Sequence, residues 1–348
     1  MKAVVYDSSA RRVALREIRE PVAAGGEVLF TPAYAAICGS DLHMYGGSDA
    51  YGWVASPLVL GHEAAGYIDG GRELFVLDPY IPCGQCKMCR LGNTSTCMGP
   101  SGGRAKHAPP WSLQYGFRRP GAQAARMAVR RENLVPVPPG LPATLAALTE
   151  GAAVAVHALE VGRPLFAGGP LENAVVVGPG PVGLSATYAL TTRGARTAIL
   201  GLPRDAPRLE RAGRLGAASL ATSSEALEVT VDEWTGGAGV DLVIEATGAE
   251  EAFSLALRVV RKGGVVVAVG IPGRPHSVQV REIVRGGVIV AGSYGVTRAD
   301  LEATLALLAR DVERSGALLD RAFPLTDADA AYRHAKASSG KVLIEVSP

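Results

Sequence analysis

The rhythm of hydrophobic positions changes part-way along the chain. Up to about residue 148 the apolar residues fall in short alternating runs broken by Gly and Pro, such as VVYD, EVLFTPAYAAI, EAAGYI and LFVLDPY. Runs of period two at this length predict short β-strands joined by long loops. From residue 149 the texture is different. ALTEGAAVAVHALEVG predicts a helix, and AVVVGPGPVGLSATYALTTRGARTAIL predicts a buried strand, a glycine turn, a helix and a second strand. RLERAGRLGA, VDLVIEATG, SLALRVVRKGGVVVAVG and GVIVAGSYG continue the alternation, and ADLEATLALLARDVERS and KVLIEVS add a last helix and strand. Strands that are near-continuous Val, Ile and Ala runs belong in a parallel sheet covered on both faces. The pattern is that of an α/β chain with two domains, in keeping with 348 residues at about 150 per domain.

Composition mainly excludes. Thirty-five basic and 33 acidic residues leave a net charge of +2, so no global field draws the chain to nucleic acid or an anionic membrane. The arginine pairs at 118–119 and 130–131 read as solvated faces. No apolar run reaches the ~18 residues of a membrane span, and the N-terminus alternates like a strand instead of forming a secretory leader. A cytoplasmic protein is expected. The 43 glycines and 23 prolines follow no repeat and are expected at turns and close backbone approaches. Of five cysteines, four crowd into residues 83–97, which argues for metal and against a secreted disulfide framework.

Three motifs carry chemistry. Gly178-Pro179-Gly180-Pro181-Val182-Gly183 fits G-x-G-x-x-G, directly after a predicted strand and at the start of a predicted helix. Gly178 would make the tight turn, Gly180 would admit a pyrophosphate, and Gly183 would let helix pack on strand. The second strand should end in a carboxylate for the ribose of NAD, yet Gly201 stands there. Arg204 would accept the 2′-phosphate of NADP, Asp205 would serve as a displaced ribose ligand for NAD, or both would be a solvated turn. Cys83, Cys86, Cys89 and Cys97 form C-x2-C-x2-C-x7-C, four thiolates that close a tetrahedral, structural Zn2+ site. An iron–sulfur cluster is the alternative for such a set. Cys38-Gly39-Ser40-Asp41-Leu42-His43 and Gly61-His62-Glu63 supply a thiolate, an imidazole and a carboxylate for an open, catalytic Zn2+ site. Glu150, at the junction of the two textures, is a candidate further ligand.

The cysteine lobe, CGSDLH, GHE and the GPGPVG turn occur in the order and rough spacing of the zinc-dependent medium-chain alcohol dehydrogenases, which this chain resembles over nearly its whole length. TEGAAVAVHAL is similar to the Glu-Pro-Leu segment of the polyol, sugar and threonine dehydrogenase branch, with Gly151 in place of the proline. The resemblance implies a GroES-like β-rich catalytic domain (1–148, completed by 295–348) around a doubly wound Rossmann domain (149–294). It implies that Cys38 and His62 ligate the catalytic zinc, with Glu63 and Glu150 as the carboxylates near it. It also implies that Asp41 fixes the tautomer of His62, that Ser40 takes the substrate proton, and that His43 is the outer end of the relay. The reaction implied interconverts a secondary alcohol of a polyol, sugar or cyclitol with its ketone, using NAD or NADP, in a homodimer or homotetramer.

The sequence leaves other readings open. The same residues run in reverse would reduce a carbonyl or imine, and a chain that kept the fold without the chemistry would only bind zinc and dinucleotide. Two segments depart from the family's pattern. Residues 66–73 are shorter than usual, and residues 103–121 are longer and rich in Arg, Pro and aromatics, either a wall for a polar or anionic substrate or a solvated loop.

Overall fold

A computed structural model describes residues 1–10, 12–48, 51–99, 113–165 and 170–347. The chain divides into two compact units: Met1–Gly151 with Gly295–Val312 and Leu319–Pro348, and Ala152–Tyr294 with Glu313–Leu318. The first division thus falls after Gly151, and the stretch expected as one return segment, 295–348, gives residues 313–318 to the second unit.

The second unit is built on a six-stranded parallel sheet. Its strands are Asn173–Val177, Arg196–Leu200, Ser219–Ala221, Val240–Glu245, Val260–Ala268 and Ile289–Gly292, in spatial order 3-2-1-4-5-6. That order is the doubly wound Rossmann arrangement, with its crevice beyond the C-terminal end of the first strand. Ala174, Val175, Val176, Leu242, Val243, Ile244, Val265, Val266 and Val267 are entirely buried, as strands covered on both faces require.

The first unit is β-rich. Its larger sheet runs Leu134–Pro136, Leu74–Leu77, Glu63–Ile68, Glu27–Ala36, Lys341–Glu345 and Leu319–Pro324, with Met127–Arg130 also paired to Glu27–Ala36. The short segment 66–73 closes a hairpin in which Gly66 faces Phe75 and Tyr67 faces Leu74. Strand Glu27–Ala36 is central. On one side it places Ala36 opposite Glu63, and on the other Ala36 opposite Leu343, so two distant segments flank the exit of one strand.

Beyond strand Leu74–Leu77 the chain is held by a polar clasp. The Asp78 amide donates to the Asn133 carbonyl at 2.7 Å, and Asn133 Nδ2 donates to the carbonyls of Asp78 (2.9 Å) and Tyr80 (2.7 Å). Burial lifts the Asp78 carboxyl to about 6, against the Tyr80 amide and Arg298, which lower it. A carboxyl whose folded pKa lies above its unfolded value contributes less stability as pH rises through that window. Stability should therefore fall by on the order of 2–3 kcal/mol between pH 4 and pH 6.5 from this group. Asp78→Asn should flatten that part of a urea-denaturation pH profile, whereas an unchanged slope would assign it elsewhere.

Candidate metal and dinucleotide sites

The cysteine lobe is local. Cys86 caps the short helix Lys87–Arg90, which carries Cys89 back towards it, and the turn Thr94–Thr96 delivers Cys97. The four Sγ atoms lie within 4.8 Å of one another, with Cys86–Cys89 at 3.4 Å and Cys83–Cys89 at 3.9 Å. Tetrahedral zinc with bonds of about 2.3 Å places sulfurs about 3.8 Å apart, so the set fits the metal. Backbone amides point at the sulfurs: Cys86 to Cys83 (3.4 Å), Cys89 to Cys86 (3.5 Å), Met98 to Cys86 (3.4 Å) and Cys83 to Cys97 (3.3 Å). Such donors stabilise thiolates, and two of them hold Cys86 down to about 6.

The second cluster is assembled by sheet register. Ile37 donates to the Val342 carbonyl (2.9 Å), which sets Lys341 beside the exit to Cys38, and Glu63 begins the strand on the opposite side. Cys38 leads into helix Gly39–Tyr45, where Asp41 Oδ2 accepts the Cys38 amide at 3.0 Å. Ligand atoms of Cys38, His62 and Glu63 lie within 4.8 Å of one another. Glu150 is not in that group, although it is buried and its carboxyl feels His62, Glu63 and Cys38. His62 is held where Leu60–Gly61 crosses another stretch of backbone. A Cβ on Gly121 would strike the Gly61 carbonyl oxygen, and one on Gly116 would lie 2.9 Å from it.

Lys341 is the site residue that the sequence did not disclose. Its Nζ lies 2.6 Å from Glu63 Oε1, with both side chains buried. Burial pulls the Lys341 pKa down, and Glu63 and Cys38 more than reverse this, holding it above its usual value. A Cβ on Gly151 would sit 2.9 Å from Glu63 Oε2 and 3.1 Å from Lys341 Nζ, so the glycine at that position leaves room for the pair.

The charges of this pocket show what it suits. Asp41, Glu63 and Glu150 are buried carboxyls facing a single buried lysine. Burial pushes Glu150 up to about 8 and the Cys38 thiol up to about 11, and it raises Asp41 as well. Asp41 Oδ1, His62 Nδ1, Glu63 Oε2 and Ser40 Oγ are buried without a hydrogen-bond partner. Unpaired buried acids and orphaned donor atoms around a thiol and an imidazole suit a divalent cation. Asp41 Oδ1 and His62 Nδ1 face each other at 3.9 Å, too far apart for the hydrogen bond that the resemblance implied. Ser40 is half-buried, and His43, three residues on, is exposed and stacks on Tyr51 at 5.7 Å. Rings continue from Tyr51 to Trp53 (6.3 Å), Phe117 (5.6 Å) and His62 (4.8 Å), with Arg118 over Trp53. Phe117 and Arg118 of the long segment thus pack against His62 and Trp53, and residues 103–112 lie outside the described residues.

In the second unit Gly178 has φ +102°, Gly180 caps helix Pro181–Thr192, and Pro181 takes the first helical position with Val182 after it. A Cβ on Gly183 would strike the Gly178 carbonyl oxygen, so the helix packs on the turn only with glycine there. The helix N-terminus offers amides to a pyrophosphate. Glu245, also unremarked in the sequence, ends the neighbouring strand and accepts the amides of Thr247 (2.6 Å) and Gly248 (3.0 Å), which builds the adjoining loop. Gly201 ends strand Arg196–Leu200, with Arg204 exposed and Asp205 half-buried in the following turn.

A Rossmann unit with a dinucleotide turn, joined in one chain to a β-rich unit with a closed and an open metal cluster, defines a zinc- and nicotinamide-dependent dehydrogenase. Comparison with known proteins gives the family. Residues 24–139 match the alcohol dehydrogenase GroES-like domain, and residues 181–310 match the zinc-binding dehydrogenase domain. The chain is 29% identical to sorbitol dehydrogenase of Halalkalibacterium halodurans, covering 100% of this chain and 99% of that one. It is 28% identical to D-arabitol-phosphate dehydrogenase of Enterococcus avium, covering 97% and 95%. The solved alcohol dehydrogenase TADH from Thermus sp. ATN1 is 30% identical, superposes with a TM-score of 0.82 and is covered completely, as is this chain. The protein belongs to the zinc-dependent medium-chain alcohol dehydrogenase family. It is an NAD(P)-linked enzyme of that family.

The ion pair is open to test. Removing one partner of a buried pair strands the other charge and costs about 3–5 kcal/mol. Lys341→Met should destabilise the protein by that amount in urea denaturation. Glu63→Gln combined with Lys341→Met should cost clearly less than the two single changes together; strict additivity would mean that the pair is not coupled.

Proposed function

We propose that the enzyme oxidises a secondary hydroxyl of a polyol, sugar or cyclitol to the ketone, and reduces the ketone in reverse. The observation that carries this reading is the buried Cys38–His62–Glu63 group with an orphaned serine hydroxyl beside it. Zinc held by Cys38 and His62, with Glu63 or Glu150 as the carboxylate, would acidify a substrate hydroxyl, and the nicotinamide would take the hydride. The chain's own residues manage the proton and the fit. Ser40 Oγ, buried beside Cys38, accepts the proton, and His43, three residues on along the same helix face, hands it to solvent. Asp41 orients His62 from behind, and Lys341 holds the Glu63 carboxylate in place through their 2.6 Å contact. Phe117 and Trp53 supply ring faces on which the C–H face of a sugar or polyol stacks.

The polyol-oxidising relatives support this substrate class, because they match end to end. Five cysteines without a disulfide support a reducing, cytoplasmic setting. Among the described residues no helix is long and apolar enough to cross a membrane. The test is nicotinamide reduction, followed at 340 nm, with a panel of polyols and sugar alcohols. Activity should vanish on chelation and fall at least about 10³-fold in Cys38→Ser, a loss of the size expected when a catalytic metal goes. Full activity in the metal-free protein would remove the mechanism.

A homodimer, or a homotetramer built from it, completes the reading. Strand Ile289–Gly292 is an edge of the six-stranded sheet, and Val278, Val280, Val284 and Val290 near it are exposed, Val284 by 73%. An unpaired edge with an aliphatic surface invites a second copy. Val290→Lys should halve the mass measured by light scattering; an unchanged mass would move the interface elsewhere.

A further inference from the structure

The Rossmann pattern expects a carboxylate at the end of the second strand, where it holds the ribose hydroxyls of the adenosine half. Here that position is Gly201, and the structure shows why it stays a glycine. A Cβ on Gly201 would lie 2.8 Å from Pro179 Cγ, on the GPGPVG turn, and 3.2 Å from Asp205 Cβ. The space for a side chain at 201 is therefore already taken from outside. The Asp205 Cβ thus stands 3.2 Å from where the Cβ of that missing side chain would be, and the same position lies 2.8 Å from the glycine turn at Pro179.

The Asp205 carboxylate is also held in place. Its Oδ2 accepts the Leu202 amide at 3.0 Å, and Arg208 Nη1 lies 3.5 Å from Oδ1. The side chain is 16% exposed. An ionised carboxylate offers about four acceptor positions, so these two contacts leave acceptors for two further donors. Arg204 lies exposed in the same turn, while Arg208 is already directed onto Asp205.

We infer that Asp205 is the ribose-diol acceptor, supplied from four residues further along the chain, and that the enzyme consequently selects NAD(H) over NADP(H). The ribose 2′- and 3′-hydroxyls donate to its free acceptor positions. A 2′-phosphate carries about two negative charges at neutral pH and would be set against a fixed carboxylate whose neighbouring arginine is already engaged. Arg204 alone does not outweigh that repulsion from an exposed position, where charge interactions are weak. The inference rests on the reading of the GPGPVG turn as the dinucleotide site.

The experiment is equilibrium titration of the purified protein, without substrate, with NADH and separately with NADPH, read by enhancement of nicotinamide fluorescence. Wild type should bind NADH at least about tenfold more tightly than NADPH, a difference of ~1.4 kcal/mol. Asp205→Asn, which keeps an acceptor for the Leu202 amide, should weaken NADH about tenfold and leave NADPH unchanged or tighter. Asp205→Glu should recover part of the NADH affinity, and Arg204→Ala should leave the ratio as in wild type. Tighter binding of NADPH by wild type, or an unchanged ratio in Asp205→Asn, overturns the assignment while leaving the dinucleotide site intact. Failure to bind either nucleotide overturns the site itself and the assignment with it.

Discussion

The first unit turns on one buried ion pair. Glu63 and Lys341 meet at 2.6 Å in the interior, 278 residues apart in sequence. Without Lys341, the pocket would gather Glu63, Asp41, Glu150 and the Cys38 thiol with no permanent cation among them. Like charges buried together drive one another to the neutral form, and a neutral carboxyl or thiol is a poor metal ligand. One fixed ammonium gives Glu63 a charged partner while the surplus of acid still calls for a divalent ion. The pair is therefore both a structural clamp and the electrostatic setting of the metal site.

This clamp explains the order of the sheet. Strand Glu27–Ala36 runs out into Cys38, strand Glu63–Ile68 lies on one side of it, and strand Lys341–Glu345 lies on the other. A shift of one residue in either register would turn Glu63 or Lys341 to the opposite face of the sheet. The C-terminal return of the chain thus does more than cover an edge, because it brings the only buried lysine among the described residues to the site. Gly151 belongs to the same constraint, as its missing side chain is the space that the paired groups fill.

What was legible in the sequence follows the distance over which each feature is encoded. The cysteine lobe and the GPGPVG turn are local. Their ligands or amides come from one short stretch, so spacing carries the geometry, and the alternation of buried strands with helices carried the Rossmann sheet. The Cys38–His62–Glu63 group was legible as residue types and through family resemblance, although Glu150 does not join its close set of ligand atoms. Lys341 was not legible. In KVLIEVS it is the polar first residue of a strand, and only sheet pairing across the chain gives it a role. The same holds for Gly116 and Gly121, which are ordinary loop glycines until their backbone is seen crossing that of Gly61.

The two metal clusters differ in the same respect, and the difference bears on what each can do. A lobe whose four thiolates lie within fifteen residues needs little else to hold its geometry, and its amides already point at the sulfurs. It can be rigid and closed. The other cluster draws on a helix start, a glycine crossing, a strand start and a returning strand, so its ligand atoms are fixed by the packing of the whole unit. Such a site retains unpartnered atoms, Ser40 Oγ and Glu63 Oε2 among them, because no short stretch of chain is available to satisfy them all. Unsatisfied buried groups cost stability. Here they lie where a metal and a substrate hydroxyl would meet them, so the arrangement equips the site for chemistry.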